Sequence, residues 1–205
     1  MIQSDRVYHH ILNQLLRRTI RPGQLLDRRK IAEELEVSLI PVSDAVQRLS
    51  YEGFLTARHR QGTFVVSPSV EDVRGQLLLR EAIECQCARL YCGDPIKKSQ
   101  RRLHILASKA DRAADSGRPI WSEDFEFHQA LVALTECKAL MDCFSRVVKL
   151  SMFHQIAIIA PMRKTTYKHH VELLNKLCVA SSEEADSAIR QHIRAGKETL
   201  IGEFP

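Results

Sequence analysis

Apolar residues recur at helical spacing in the first third of the chain, and two short runs with strand character follow them. The helical repeats are Ile31, Leu35 and Val37, then Val42, Ala45, Val46 and Leu49. Intervals of three and four predict two helices, each with one buried face. Residues 54–57 and 63–66 favour strands, and the basic segment 58–62 joins them. Two helices followed by a β-hairpin indicate a helix-turn-helix with a wing, so duplex DNA is the first partner to consider.

Residues that typically start and end helices support the predicted boundaries of the second helix. Ser38 suits the N-cap of the second helix, Pro41 suits its first turn, and Gly53 suits the position that ends it. The alternative is a small helical core with a hairpin and no role at DNA.

Helical periodicity without strand-like alternation continues from residue 70 to the end. The segment 67–69 is typical of a short linker, and Ser69 can cap the helix that starts at Val70. Further breaks lie at 92–95, 116–119, 136–138, 160–161 and 181–182. We predict a mainly α protein, with a winged helix-turn-helix at 1–68 and an antiparallel bundle of about six helices at 69–205.

Four residues of the predicted bundle have the chemistry of a divalent metal site. Asp124 and His128 are four apart and share one helix face, while His170 and His192 lie on later helices among apolar residues. One carboxylate and three imidazoles suit such an ion. With nine histidines in the chain, the alternative is a set of buried histidines that only form hydrogen bonds.

Composition changes this picture little. The 205 residues carry a net charge of +5, and residues 1–68 hold ten Lys/Arg against seven Asp/Glu, which supports nucleic acid mildly. The six cysteines include no Cys-x-x-Cys pair, so we expect free thiols in a reducing compartment, with a redox switch as the alternative. No segment is typical of a signal peptide or a membrane span, and we expect a cytoplasmic protein without membrane partners.

The N-terminal third resembles the winged helix-turn-helix of the GntR family of bacterial transcription regulators. The matching residues are Pro22-Gly23 with Leu25-Leu26, Ile31-Ala32, Val37-Ser38, Pro41-Val42, Ala45, Leu49, Gly53 and Gly62-Thr63-Phe64-Val65. That resemblance implies a DNA-binding regulator. The expected DNA-binding residues are Arg28, Arg29, Lys30, Ser38, Ser43, Arg48, Arg58, Arg60 and Gly62.

Two positions depart from that family pattern. Leu39 and Ser43 stand where the family usually has arginines that contact phosphate and guanine. The remaining basic residues can still position the protein on phosphates. We therefore expect this chain to bind a different operator sequence.

Residues 70–200 resemble the all-helical ligand-binding (FCD) domain of the FadR-type branch of the same family. Arg80 with Glu84, the segment 124–128, and the spacing from His170 to His192 carry the likeness. It implies that Asp124, His128, His170 and His192 bind zinc, nickel or manganese. It also implies that Arg80 binds a small carboxylate effector, although a pair between Arg80 and Glu84 is the alternative. The segment 163–167 is a further candidate for the cavity mouth.

Together these resemblances imply a homodimeric regulator, expected to be a repressor, that binds a palindromic operator and is not an enzyme. Its affinity for DNA would change with the effector. The alternatives are a metal-dependent enzyme, against which the chain shows no phosphate-binding loop or nucleophile elbow, and a metal-free dimerisation module.

Overall fold

The computed structural model describes residues 2–115, 121–158 and 169–195. Its elements are α1 (Gln3–Leu16), α2 (Arg28–Leu35), α3 (Leu39–Tyr51), β1 (Leu55–Arg58), β2 (Gly62–Val65), α4 (Val70–Tyr91), α5 (Asp94–Asp115), α6 (Trp121–Ala133), α7 (Lys138–Ile158), α8 (His170–Leu177) and α9 (Ser182–Arg194). The chain forms two compact units, one of residues 1–72 with 150–158 and one of residues 73–149 with 159–205. The predicted domain boundary at 68/69 stays a prediction.

The N-terminal unit is built around α3. Helices α1 and α2 and strand β1 all pack against α3, and its buried face consists of Pro41, Val42, Ala45, Val46 and Leu49. Asp27 caps α2 by accepting hydrogen bonds from the backbone N–H groups of Arg29 and Lys30. The sequence analysis proposed no helix for residues 3–16, although five buried residues of α1, from Val7 to Leu15, follow helical spacing.

Strands β1 and β2 form the predicted wing. They pair antiparallel, with Leu55 opposite Val65 and Arg58 opposite Gly62. Backbone hydrogen bonds also join residues 23–26 to β2, including Leu26 N–H to the Thr63 carbonyl at 2.8 Å. The segment that follows the Pro22-Gly23 turn therefore lies beside β2, with Leu25 opposite Phe64.

Within the described residues, the C-terminal unit is helical. Helix α5 packs against α6 and α8, and α8 packs against α9. The predicted breaks near 93, 137 and 181 fall between helices, and Ser181 with Glu184 forms a capping box at the start of α9. The breaks at 116–119 and 160–161 lie outside the described residues. None of the helices in the described residues is long and apolar enough to cross a membrane.

The fold class is confirmed as mainly α, and one local expectation was wrong. Val37 is not part of α2, because the helix ends at Leu35 and Glu36 adopts a left-handed φ of 51°. Ser38 occupies the N-cap position of α3, but its side chain makes no capping hydrogen bond.

Candidate metal centre and DNA-binding surface

Three helices of the C-terminal unit bring the four predicted metal ligands together. Asp124 and His128 lie one turn apart on α6, His170 is the first residue of α8, and His192 lies near the end of α9. One ligand atom from each of these residues lies within 4.8 Å of all the others. Asp124, His128 and His170 are buried, and His192 is half-buried.

The distances between donor atoms are those of a compact cluster. His170 Nε2 lies 3.1 Å from Asp124 Oδ1, and His128 Nε2 lies 3.2 Å from His192 Nε2. His128 Nε2 is 3.8 Å from Asp124 Oδ1. Ligands that each bind one ion at about 2.0–2.2 Å stand about 3–3.5 Å apart when adjacent. The cluster therefore has the dimensions of a single-ion site.

Glu84 of α4 fixes the orientation of the His128 ring. Its Oε2 atom accepts a short hydrogen bond from His128 Nδ1. Burial raises the pKa of Glu84, but the interactions with His128 and Arg80 outweigh it, so the pKa lies below its usual value. Because an ionised carboxylate only accepts hydrogen bonds, we assign the His128 proton to Nδ1. The Nε2 lone pair of His128 then faces the cluster.

Asp111 of α5 orients the His170 ring in the same way that Glu84 orients the His128 ring. Its Oδ1 atom lies 2.8 Å from His170 Nδ1, and its carboxylate also accepts hydrogen bonds from the backbone N–H groups of residues 169–171. Burial lowers the pKa of His170, but the hydrogen bonds with Asp111 and Asp124 outweigh it and raise that pKa to about 9. Asp111 thus fixes both the start of α8 and the ring of its first residue.

Arg80 lies behind the cluster and is 2% exposed. Its Nε donates to Glu84 at 2.6 Å, and its second terminal nitrogen lies 3.1 Å from Asp124 Oδ2, which accepts no well-aligned hydrogen bond. Burial raises the pKa of Asp124, yet the charge of Arg80 and the interactions with His128 and His170 hold it well below its usual value. The pair with Glu84, the alternative from the sequence, is present. Direct effector binding by Arg80 stays a prediction.

The charges of these residues favour a cation at the centre. The three carboxylates Glu84, Asp111 and Asp124 carry three negative charges. Arg80, which pairs with Glu84 and Asp124, and His170, which pairs with Asp111, each carry one positive charge, so the set has one net negative charge while His170 is protonated and two when it is neutral. Burial lowers the pKa of His128 and, more strongly, that of His192, which keeps both rings in the neutral form that binds metals. Donor chemistry and local charge therefore both fit a divalent ion.

A cleft of about 270 Å³ opens beside the cluster. His192 forms part of its wall together with His169, Glu172, Lys176 and Gln191. His169, the neighbour of His170 in sequence, is exposed and pairs with Glu172 at 3.2 Å. The segment 163–167 lies outside the described residues.

The predicted DNA-binding residues fall into three groups in the N-terminal unit. Arg29 and Lys30 are exposed on the first turn of α2, whereas Arg28 is half-buried and donates to Thr63 Oγ1 at 2.7 Å. Ser38 is exposed at the N-cap of α3, and Ser43 is exposed on the helix itself. The contacts of these residues with DNA stay predictions.

Arg48, near the end of α3, is held by groups of its own unit. Its guanidinium lies 3.2 Å from Asp5 and 3.2 Å from Glu52, and it stacks on the Tyr8 ring at 3.9 Å. These contacts stabilise the packing of α1 against α3. Of the predicted DNA-binding arginines, Arg48 has the most extensive set of intramolecular charge partners.

Arg58 and Arg60 lie at the exposed tip of the wing. The Arg58 guanidinium stacks on the Phe64 ring at 4.4 Å, and Arg60 has a left-handed φ of 58°. Gly62 ends the turn with a φ of 113°. The tip therefore presents two cations on a tightly turned backbone.

Two carboxylates of the candidate metal centre, Glu84 and Asp111, were not predicted from the sequence as part of it. Glu84 entered only as a partner for Arg80, and Asp111 did not enter at all. Asp111 lies 59 residues from His170 on a different helix, and no local pattern marks it. The four-residue spacing from Arg80 to Glu84 was the one signal that pointed towards Glu84.

Two known protein families match consecutive parts of the chain. Residues 3–65 match the family described as bacterial regulatory proteins, gntR family, and residues 77–195 match the FCD domain. The chain is 23% identical over 209 residues to the HTH-type transcriptional repressor RspR of Escherichia coli (strain K12), covering 96% of this chain and 88% of RspR. It is 25% identical over 182 residues to the Nta operon transcriptional regulator of Aminobacter aminovorans, covering 88% and 86%.

Solved structures show the same fold. A GntR transcriptional regulator from Rhodococcus sp. RHA1 superposes with a TM-score of 0.78 at 20% identity and covers 100% of both chains. E. coli McbR/YncC superposes with a TM-score of 0.70 at 18% identity, covering 98% of this chain and 97% of that one. With both of its domains matched in order, the chain belongs to the GntR family of DNA-binding transcription regulators and carries a C-terminal FCD domain.

Proposed function

We propose that this regulator is a repressor whose C-terminal unit binds a divalent metal ion through Asp124, His128, His170 and His192. The observation that carries the proposal is the convergence of these four donors, with Glu84 and Asp111 behind two of the imidazoles. Carboxylates that orient histidine ligands in this way are typical of metal sites in proteins. RspR, to which the chain is similar, is a transcriptional repressor, and this supports repression as the direction of regulation.

Zinc, nickel and manganese are the candidate ions, because imidazole and carboxylate ligands suit all three. When bound, such an ion supplies positive charge and open coordination positions for a carboxylate-bearing metabolite. The cleft of about 270 Å³ beside His192 gives a small carboxylate effector a route to the cluster. Arg80 already serves Glu84 and Asp124, so we propose that it acts on the site by keeping Asp124 ionised.

We further propose that the protein binds a palindromic operator as a homodimer. A two-fold dimer places two winged helix-turn-helix units on two half-sites, and a change in their separation changes operator affinity. The effector site and the DNA-binding residues belong to different units. Effector binding therefore has to act by favouring one of two arrangements of the dimer.

The wing tip is expected to contact phosphates. Replacing Arg58 with alanine removes one cation that carries no sequence information. Binding to all duplexes should weaken by a similar factor, and the slope of log affinity against log salt should fall by about 1. Fluorescence anisotropy at several salt concentrations measures both. Arg112→Ala is a matched control, since Arg112 is an exposed arginine of the C-terminal unit. An unchanged salt slope for Arg58→Ala would exclude the wing tip from the interface.

Elemental analysis of protein purified without a polyhistidine tag or chelator tests the metal site. We expect about one metal ion per chain, its loss in His128→Ala and in the less buried His192→Asn, and its retention in His104→Ala, where an exposed histidine is removed. Circular dichroism checks that each variant is folded. No metal after incubation with zinc, nickel and manganese salts would contradict the proposal and leave a metal-free effector or dimerisation domain.

A further inference from the structure

The outward face of α3 is unusual for a surface that reads DNA. Its buried residues face the core, and the exposed ones are Leu39, Ile40, Ser43, Asp44, Gln47, Arg48 and Tyr51. Leu39 is 48% exposed and Ile40 is 72% exposed, and they are the first two residues of the helix. Two large aliphatic side chains therefore stand side by side at the N-terminus of α3.

The position of Leu39 and Ile40 at the N-terminus of α3 determines which part of DNA their side chains contact. In a helix-turn-helix, the second helix enters the major groove and its N-terminal residues contact base edges. Helix α3 is that second helix, and Leu39 and Ile40 open it. This inference rests on the membership of the chain among DNA-binding regulators and goes on to the bases that it reads.

The exposed face of α3 is poorly equipped to read guanine. Guanine presents only acceptors in the major groove, and arginine or lysine is its usual partner. Across the described helix Leu39–Tyr51, the one cation is Arg48, and Asp5 and Glu52 hold it near the C-terminal end. Asp44, one turn after Ile40, offers acceptors only.

Thymine is the base whose edge suits an aliphatic side chain. Its C5 methyl group projects into the major groove and makes apolar contacts. Gln47, farther along the same face, has the amide that binds the adenine edge. We propose that Leu39 and Ile40 read thymine methyl groups, so that A·T pairs lie beneath the first turn of α3 in each half-site.

The charges of the N-terminal unit favour DNA over another protein as the partner of this pair. Arg29 and Lys30 are exposed on α2, and Arg58 and Arg60 are exposed on the wing of the same unit. A unit that exposes both cations and an apolar pair suits a duplex, where phosphates attract the cations and thymine methyl groups offer apolar contacts.

Replacing thymine with uracil tests the assignment, because uracil lacks only the methyl group. Binding sites are first selected from random duplexes with the full chain, and each thymidine of the selected half-site is then replaced by deoxyuridine. Losing one contacted methyl should weaken binding by the intact protein by about fourfold. The double variant Leu39→Ala/Ile40→Ala should bind thymine and uracil duplexes equally well.

Ile2→Ala is the matched control. Ile2 is 73% exposed in the same unit and lies at the N-cap of α1, outside the helix-turn-helix. This variant should keep the full effect of uracil. Binding of all variants to an unrelated duplex at low salt checks that the N-terminal unit is folded, because phosphate contacts dominate there.

The outcomes separate this inference from the function on which it rests. A·T pairs at the selected positions, with a methyl effect that disappears in the double variant, support it. G·C pairs there, or the same uracil effect in the intact protein and the double variant, overturn it while leaving DNA binding in place. If no duplex is enriched, both the inference and the DNA-binding function fail.

Discussion

Buried charge is concentrated at a few residues of the C-terminal unit. Arg80, Glu84 and Asp124 are each at most 6% exposed, and His128 is fully buried. Removing one partner from such a group is strongly destabilising, because it leaves an uncompensated charge away from water. Groups of this kind contribute little net stability compared with apolar residues of the same size. Their presence here is explained better by ligand binding than by folding.

Replacing Asp111 with asparagine should weaken metal binding by about 10- to 100-fold. The change removes the charge that orients His170 but keeps an oxygen that can cap α8. Competition with a chelating dye measures the affinity, and thermal unfolding in excess chelator measures the structural effect separately. Asp142→Asn, in an exposed pair with Lys138, is the control. Unchanged metal affinity in Asp111→Asn would remove Asp111 from the site.

Stability should fall in mild acid partly because of His154. This histidine of α7 is buried in the N-terminal unit, and no hydrogen bond reaches its Nδ1 atom. Burial lowers its pKa, and the charge and backbone of Asp72 offset this only in part. In the unfolded chain this imidazole binds a proton more readily than in the folded protein. The stability that depends on its neutral form is therefore fully present above about pH 6.5 and declines as the pH falls below that value.

Urea unfolding of the intact protein and of His154→Gln at pH 7.5 and pH 5.5 measures this contribution. The free energy of unfolding should drop less between the two pH values in the variant, because one buried imidazole no longer has to be charged. His104→Gln, at an exposed histidine, should keep the full drop. Equal drops in the intact protein and His154→Gln would show that His154 titrates normally.

At the scale of elements, the wing is joined to the segment that precedes α2. Residues 23–26 form backbone hydrogen bonds with β2. Leu25 also lies so close to Gly62 that a Cβ atom added to Gly62 would be 2.7 Å from Leu25 Cδ1. Arg28 adds a hydrogen bond from α2 to Thr63. The wing is therefore positioned by the start of the helix-turn-helix as well as by its own hairpin.

Gly62→Ala should destabilise the N-terminal unit by about 1–3 kcal/mol. Its φ of 113° is unfavourable for alanine, and the added methyl group would press on Leu25. Gly75→Ala is the control, because Gly75 lies inside α4 with nothing within 4 Å of an added Cβ, and alanine there should stabilise by about 0.5–1 kcal/mol. Urea unfolding measures the change in the free energy of unfolding for both variants. Stabilisation by Gly62→Ala would contradict the tight contact with Leu25.

At the scale of the whole molecule, each unit draws on distant parts of the sequence. Leu150 and Phe153 of α7 belong to the core of the N-terminal unit, where the Phe153 ring meets that of Phe54 edge-on at 5.5 Å. Leu150 also lies against Gly53, with its Cδ2 atom 3.6 Å from the position of a Cβ there. The DNA-binding unit thus includes a piece of chain that follows most of the FCD domain.

Phe153→Ala should destabilise the N-terminal unit by about 3–5 kcal/mol, because it leaves a cavity in that core. Hydrogen exchange should show lost protection of α1 and α3, both far from the mutation in sequence. Phe144→Ala removes an equally buried ring from the same helix within the other unit, so its loss of protection should centre on the C-terminal unit. Unchanged protection of α1 and α3 in Phe153→Ala would contradict the division into units.

The sequence alone determined the features that depend on local physics or on a contiguous motif. The helix-turn-helix, the wing, most helix breaks and the four candidate ligands followed from periodicity, capping residues and family spacing. Tertiary structure decided which distant groups meet. The partner of His170 is Asp111, Arg48 is held by Asp5, and α7 completes the N-terminal core. Such pairs follow from packing between elements, and packing leaves no periodic signal in either partner's own stretch of sequence.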